Sequence, residues 1–390
     1  MQDPLTTVAG VRCAVATVPL GPEANPHAFG LAIGDLPLED GSVLPDVVVA
    51  VQIWGTLAPD RSNAILIEHA LTGDAHVSGA AGPGQPTPGW WPGVVGPDAA
   101  IDTDRWCVVA TNVLGGCRGT TGPSTIAPDG KPWGSRFPQV TIRDQVHAEA
   151  RVADLLNIDA WALVVGGSMG GMRAAEWAAT FPDRTRGAAV IASCATATAD
   201  QIAWGRAQTL AIELDPDYLQ GDYYATGRSP DGGLGLARRI AHTTYRCADE
   251  LEERFGPGPQ PGEDPLRRGR FAVEGYLDHH AGKLAARFDA GTYVVLTRAM
   301  ATHDIGRGRG GIAAVLRRFP GELLIAGVDS DRLFPLSLSR TMATARDREP
   351  VAVISSPSGH DGFLIETDQV SELLAAQLAR LEPRVGVRVG

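Results

Sequence analysis

Residues 164–172 read Val-Val-Gly-Gly-Ser-Met-Gly-Gly-Met, an apolar run that breaks into Gly-Xaa-Ser-Xaa-Gly and then takes up helical spacing. A strand that turns this sharply into a helix forces its serine into a strained backbone conformation, and the neighbouring residues must be small to avoid clashes. Gly166, Gly167, Gly170 and Gly171 meet that need. Such a turn is a nucleophile elbow. It presents the Ser168 hydroxyl at the carboxyl end of a strand and directs the positive end of the next helix at any oxyanion that develops there. A glycine-rich turn can carry a serine by accident, but this motif occurs once in the chain, with the strand and helix it needs on either side.

Other short apolar runs occur at Asp46–Ile53, Asn63–Ile67, Arg105–Ala110, Trp161–Val165, Ala188–Ala192, Leu323–Ala326 and Val351–Ile354. Most are continuous rather than alternating, as in strands covered by helices on both faces. Helical spacing falls around Ile142–Leu156, Met172–Thr180, Ser339–Arg346 and Asp368–Leu381. Strand and helix in alternation predict an α/β fold with a mostly parallel central sheet.

The alternation lapses between about Ala195 and Gly311, a polar stretch rich in Arg, Asp, Tyr and His that contains the Gly/Pro loop Phe255–Asp264. A chain of 390 residues exceeds what one core usually needs. The expected organisation is therefore a core of residues 1–194 and 312–390, interrupted by a helical cap insertion of residues 195–311 over the active site. An ordinary second packing layer is the alternative. The formal net charge of −11 disfavours nucleic acid and anionic membranes as partners. Cys13, Cys107, Cys117, Cys194 and Cys247 are scattered, which argues against a disulfide framework or a structural zinc site. The first twenty residues lack the pattern of a signal peptide, and no apolar run approaches the roughly 20 residues of a membrane span. A soluble, cytoplasmic protein is expected.

A serine hydroxyl needs a base. After an elbow of this kind the partners follow in the order Ser, Asp, His. His360, in Ser356–Phe363 just after the last apolar strand, stands where the base belongs; His303 falls before the remaining strands, and His279 and His280 fall in the insertion. The acid should follow the preceding strand, where Asp329 and Asp331 compete and spacing does not choose between them. An oxyanion hole takes one N–H from the residue after the nucleophile, Met169, and one from a loop after an earlier strand. That loop is Glu68–Asp74, with Leu71 as the candidate donor.

Five segments together resemble the homoserine O-acetyltransferase family of the α/β-hydrolase fold: HALTGDAH (His69–His76), NVLGGCRGTTGPS (Asn112–Ser124), GGSMGGMRAAEWA (Gly166–Ala178), DSDRLFPL (Asp329–Leu336) and GHDGFLIE (Gly359–Glu366). GDYY (Gly221–Tyr224), GLARRIAHTTYR within Leu234–Arg246, and ARFDAGTY (Ala286–Tyr293) extend the likeness into the insertion. The resemblance implies that the acid is Asp331, that Arg238 holds a substrate carboxylate, and that Tyr245 and Asp361 line the amino-acid pocket with Asp361 on the ammonium. It implies acetyl transfer from acetyl-CoA, as co-substrate, to L-homoserine on the way to methionine, with no metal or bound cofactor, in a homodimer built through the cap helices. Succinyl transfer, serine as acceptor, and plain ester hydrolysis are the alternatives. Arg173, where many relatives carry glutamine, reads as a surface salt-bridge residue, and Cys117 as a small packing residue.

Overall fold

The computed structural model describes residues 28–82 and 85–381, together with the backbone of three short strands at 6–8, 11–13 and 17–18. Cys13 and most of the first twenty residues, on which the signal-peptide expectation rests, lie outside the described side chains. Nine strands form the central sheet: β1 (Thr17–Val18), β2 (Phe29–Pro37), β3 (Val43–Trp54), β4 (Ala64–Glu68), β5 (Cys107–Thr111), β6 (Leu163–Gly167), β7 (Gly187–Ile191), β8 (Glu322–Val328) and β9 (Val351–Ile354). Their spatial order is β9-β8-β7-β6-β4-β5-β3-β2-β1. The six strands from β9 to β5 run parallel, and β3, β2 and β1 continue the sheet antiparallel.

The continuous apolar runs are explained by burial on both faces. Leu66, Val109, Val164, Val190 and Ile325 point into one core. Their chain neighbours Ile67, Val108, Val165, Ile191 and Ala326 point into the other, as the two-residue strand period requires. Helices α1 (Ile142–Leu155) and α2 (Met169–Thr180) supply Val146, Ala150, Ala174 and Trp177 to the first core. The C-terminal helix, Thr367–Leu381, supplies Val370, Leu374 and Leu378 to the second, together with Trp91 and Trp106 from the segment before β5. At α1, Thr141 and Asp144 form a reciprocal capping box.

Strand β2 escaped the sequence reading. Gly30 and Gly34 dilute its apolar pattern, and its pairing with β3 shifts register on either side of Gly34. Between β7 and β8 the chain leaves the sheet and runs through α3 (Ala199–Glu213), α4 (Asp231–Tyr245), α5 (Ala248–Phe255), α6 (Ala272–Ala285) and α7 (Ala290–Ala301). α4 packs on α3, α6 and α7, and a third apolar cluster joins these helices to Met169 and Met172 of α2. None of the described helices is long and apolar enough to cross a membrane.

The elbow leaves no room for side chains at its glycines. A Cβ on Gly170 would run into the Glu68 carbonyl oxygen, and one on Gly167 into the Phe363 ring. Because the Gly170 clash is with backbone, Gly170→Ala is expected to destabilise the fold by about 1–3 kcal/mol or more. Urea denaturation with an unchanged midpoint would show instead that β4 and α2 can move apart.

Candidate active site

Ser168 closes β6 with φ 58° and ψ −123° and serves as the N-cap of α2. These angles lie in a sparsely populated region that must be held from outside. Its N–H donates to Ile191 O at 3.0 Å, and Ser193 Oγ donates to Ser168 O at 2.7 Å. Both contacts come from β7 and the residues just after it, so the neighbouring strand clamps the turn.

His360 comes from the turn Gly359–Asp361, which follows β9. Its Nε2 lies 2.8 Å from Ser168 Oγ and its Nδ1 2.6 Å from Asp331 Oδ2. Asp331 is fixed in turn, because its Oδ1 accepts the Leu333 and Phe334 N–H groups, each at 2.8 Å. The structure therefore brings Ser168, His360 and Asp331 into one buried hydrogen-bonded chain. Asp329 is elsewhere: it accepts from Ser355 Oγ at 2.8 Å and from Ser356 N–H, tying β8 to the strand-end loop. His303 is buried against the Cys194 carbonyl, His279 is exposed, and His280 packs against His242 with the two rings tilted.

Burial by itself pushes the His360 imidazole down. The Asp331 carboxylate, through its charge and its hydrogen bond, and the charge of Asp361 overcome this and raise it above its ordinary value of 6.5. Phe334 stacks on the ring at 5.0 Å.

Above Ser168 lies a pocket of about 560 Å³ counting its open mouth, in the range of small-ligand sites. Leu71, Met172, Leu333 and Phe334 form its floor, and Gln201, Trp204, Gln208, Tyr245, Thr297 and Met300 from α3, α4 and α7 form its walls. Leu71 thus faces the same space as Ser168, and Met169 begins α2 directly after it.

Arg238 lies with its guanidinium 5.4 Å from the Tyr245 ring centroid and reaches Thr72 Oγ1 at 3.5 Å. Tyr245 itself sits 5.8 Å from the His360 ring. Asp361 is engaged with Arg246, Oδ2 to Nη2 at 3.1 Å, a partner that sequence reasoning did not single out. Arg287 was also passed over. It donates to Thr72 O at 3.0 Å, and Arg118 donates to Arg287 O at 2.7 Å. Among the described residues no carboxylate lies within 4.0 Å of Arg118, Arg238 or Arg287, although the chain is acidic overall. Arg118 and Arg287 lie within family-like segments, but nothing in the spacing announces that Arg238 and Arg287 meet on one threonine. Cys117 is packed in the same apolar cluster, and burial foremost pushes its thiol up to about 12, so it is inert as a thiolate.

Arg173 corrects the sequence reading. It is not a surface residue: its side chain is 0% exposed and lies between Glu68 Oε2 at 2.6 Å and Glu149 Oε1 at 2.7 Å. A helix position one turn past an elbow faces the sheet, which spacing alone did not reveal.

A family model for the alpha/beta hydrolase fold matches residues 63–367, so the chain has the fold of that class. The chain is 59% identical over 347 residues to the homoserine O-acetyltransferase of Thermobifida fusca, covering 88% of this chain and 92% of the relative. It is 56% identical over 366 residues to that of Mycolicibacterium smegmatis, covering 93% and 96%. The chain belongs to the homoserine O-acetyltransferase family, a family of acyltransferases. Among solved structures, the homoserine O-acetyltransferase from Bacillus anthracis shares the fold with a TM-score of 0.82 at 24% identity, over 90% of this chain and 96% of that one. Esterase E22 superposes with a TM-score of 0.81 at 26% identity, over 90% and 98%.

Because His360 must be neutral to take a proton, and its titration is shifted upward, phosphonylation of Ser168 should rise with pH along a limb centred above pH 6.5. Asp331→Asn should move that limb to lower pH and slow the reaction by on the order of 10⁴. A limb that stays in place would assign it to another group.

Proposed function

We infer that this chain transfers the acetyl group of acetyl-CoA to L-homoserine through an acetyl-serine intermediate, supplying O-acetyl-L-homoserine for methionine synthesis. The 2.8 Å contact of His360 with Ser168, inside a chain so close to curated homoserine O-acetyltransferases, carries this reading. In the first half-reaction Ser168 Oγ attacks the thioester carbonyl as its proton passes to His360 Nε2. Asp331 holds Nδ1–H and stabilises the imidazolium. The Leu71 and Met169 N–H groups bind the oxyanion. When the tetrahedral intermediate collapses, the C–S bond breaks, and His360 returns its proton to the departing thiolate. In the second half the homoserine hydroxyl attacks the acetyl-serine, His360 takes its proton and passes it to Ser168 Oγ, and the ester departs.

Transfer beats hydrolysis only if homoserine is positioned and water is kept out. The walls of the pocket from α3, α4 and α7 support residues 195–311 acting as a cap over the core of 1–194 and 312–390. Arg238, with no carboxylate of the protein beside it, suits the substrate carboxylate beside Tyr245. Asp361 suits the ammonium, shared with its pairing to Arg246. A homodimer through the cap fits the exposed apolar side chains Ile202, Leu210 and Leu214 on α3 and Leu236 on α4. Cytoplasmic residence follows from dependence on acetyl-CoA.

The fold likeness to esterase E22 makes hydrolysis the competing reaction. Thiol release from acetyl-CoA or succinyl-CoA, with and without L-homoserine, separates the readings. Fast release only with acetyl-CoA plus homoserine, and a product heavier by one acetyl group, is expected. Equal release without homoserine would make the enzyme a hydrolase, and a preference for succinyl-CoA would change the donor. Arg238→Ala should raise KM for homoserine about 10- to 100-fold, the loss of a charge-assisted hydrogen bond, while acetyl-enzyme formation proceeds.

A further inference from the structure

The loop that follows β4 carries an orienting device outside the reacting residues. The Ala70 carbonyl accepts two hydrogen bonds, from Gly73 N–H at 2.9 Å and from His69 Nδ1 at 2.8 Å. In a planar trans peptide the C=O and N–H point in opposite directions. Whatever holds the Ala70 oxygen therefore also sets the direction of the Leu71 N–H. His69 can donate at Nδ1 because its Nε2 accepts the Val113 N–H at 3.1 Å, which defines a neutral ring with the proton on Nδ1. Burial foremost, and the charge of Arg173, push this imidazole down to about 3, so the tautomer persists at any working pH.

The loop is also tied to the nucleophile. Arg173 Nη2 donates to the His69 carbonyl at 2.8 Å, and Arg173 stands on α2, the helix that starts at Ser168. Its Nη1 is held by Glu149 and Glu68. Glu149 is further fixed by Trp177 Nε1 at 2.9 Å and Thr111 Oγ1 at 3.2 Å. Burial foremost, and then the charge and hydrogen bond of Glu149, raise Glu68 well above the carboxylate range against the pull of Arg173. All three side chains are shut away from solvent, so the group is closed to water.

We propose that His69 and Arg173 are positioning residues that aim the Leu71 N–H at the acyl oxygen on Ser168 by locking the Ala70 carbonyl and fastening its loop to the nucleophile's helix. This rests on the reading of Ser168 as nucleophile and Leu71 as oxyanion donor. Neither side chain contacts the acyl group; each acts through the peptide it holds.

The test compares His69→Gln with His69→Asn. An asparagine amide nitrogen stands near the position of Nδ1 and keeps a donor for Ala70, whereas a glutamine amide stands near Nε2 and loses it. His69→Gln should slow the pre-steady-state release of thiol from acetyl-CoA by about 10- to 100-fold, less than the 10²–10³ of a deleted donor. KM for acetyl-CoA should stay within about twofold, as expected for an interaction expressed in the transition state. His69→Asn should recover most of the rate at a similar melting temperature. Arg173→Lys, which keeps the charge between the two glutamates but drops the donor to His69 O, should show the same fall in kcat. Wild-type acylation in His69→Gln, or equal slowing in the Gln and Asn variants, overturns the proposal. Peptide mapping of the acetyl group separates this from the underlying reading: label on Ser168 in every variant leaves the comparison to decide, and label elsewhere overturns the nucleophile assignment and this proposal with it.

Discussion

The backbone of Ser168 sits where few side-chain-bearing residues go, at a cost of about 1–3 kcal/mol, and its surroundings hold it there. β7 holds the turn through Ile191 O and Ser193 Oγ, and the Phe363 ring closes over Gly167. Gly170 lets α2 approach the end of β4 so closely that the nucleophile and the loop after β4 share one wall. The pocket, His360 and the loop after β4 are all placed relative to this turn. Loosening it would spoil each of them together, which is why four glycines are spent on one serine.

Charge is handled in two opposite ways around the turn. Beneath it, Arg173 is fully buried between the carboxyl groups of Glu68 and Glu149. Removing the arginine would leave two carboxyl groups facing each other away from water, so this group holds together only as a whole and is closed to ligands. Beside the pocket, Arg238 and Arg287 converge on Thr72 with no carboxylate within 4.0 Å of either among the described residues. That concentration of positive charge in an acidic chain is what the proposed binding of a substrate carboxylate would draw on.

Most of the sheet was legible in the sequence, because strands buried on both faces announce themselves as unbroken apolar runs. β2 was not, since glycines and a register shift erase its pattern. The lapse in alternation marks the helical stretch between β7 and β8, which also includes a helix at Ile312–Arg318, but the packing of α4 between α3 and α6 comes from contacts remote in the chain. Asp329 and Asp331 are two residues apart on one turn. No spacing argument separates them, whereas 2.6 Å to His360 does.

What the sequence determined by itself is local: the elbow at Ser168, the requirement for small residues around it, and the chain order of nucleophile, acid and base. These follow from backbone sterics within a few residues, or from the succession of strands. The family resemblance pointed to Asp331, but only the tertiary structure brought it onto His360, buried Arg173 between two glutamates and paired Asp361 with Arg246. Each of those depends on side chains from separate elements meeting in a medium of low dielectric, as when His360 reaches a serine 192 positions earlier. Proximity of that kind is created by folding and has no period or motif that a linear reading can detect.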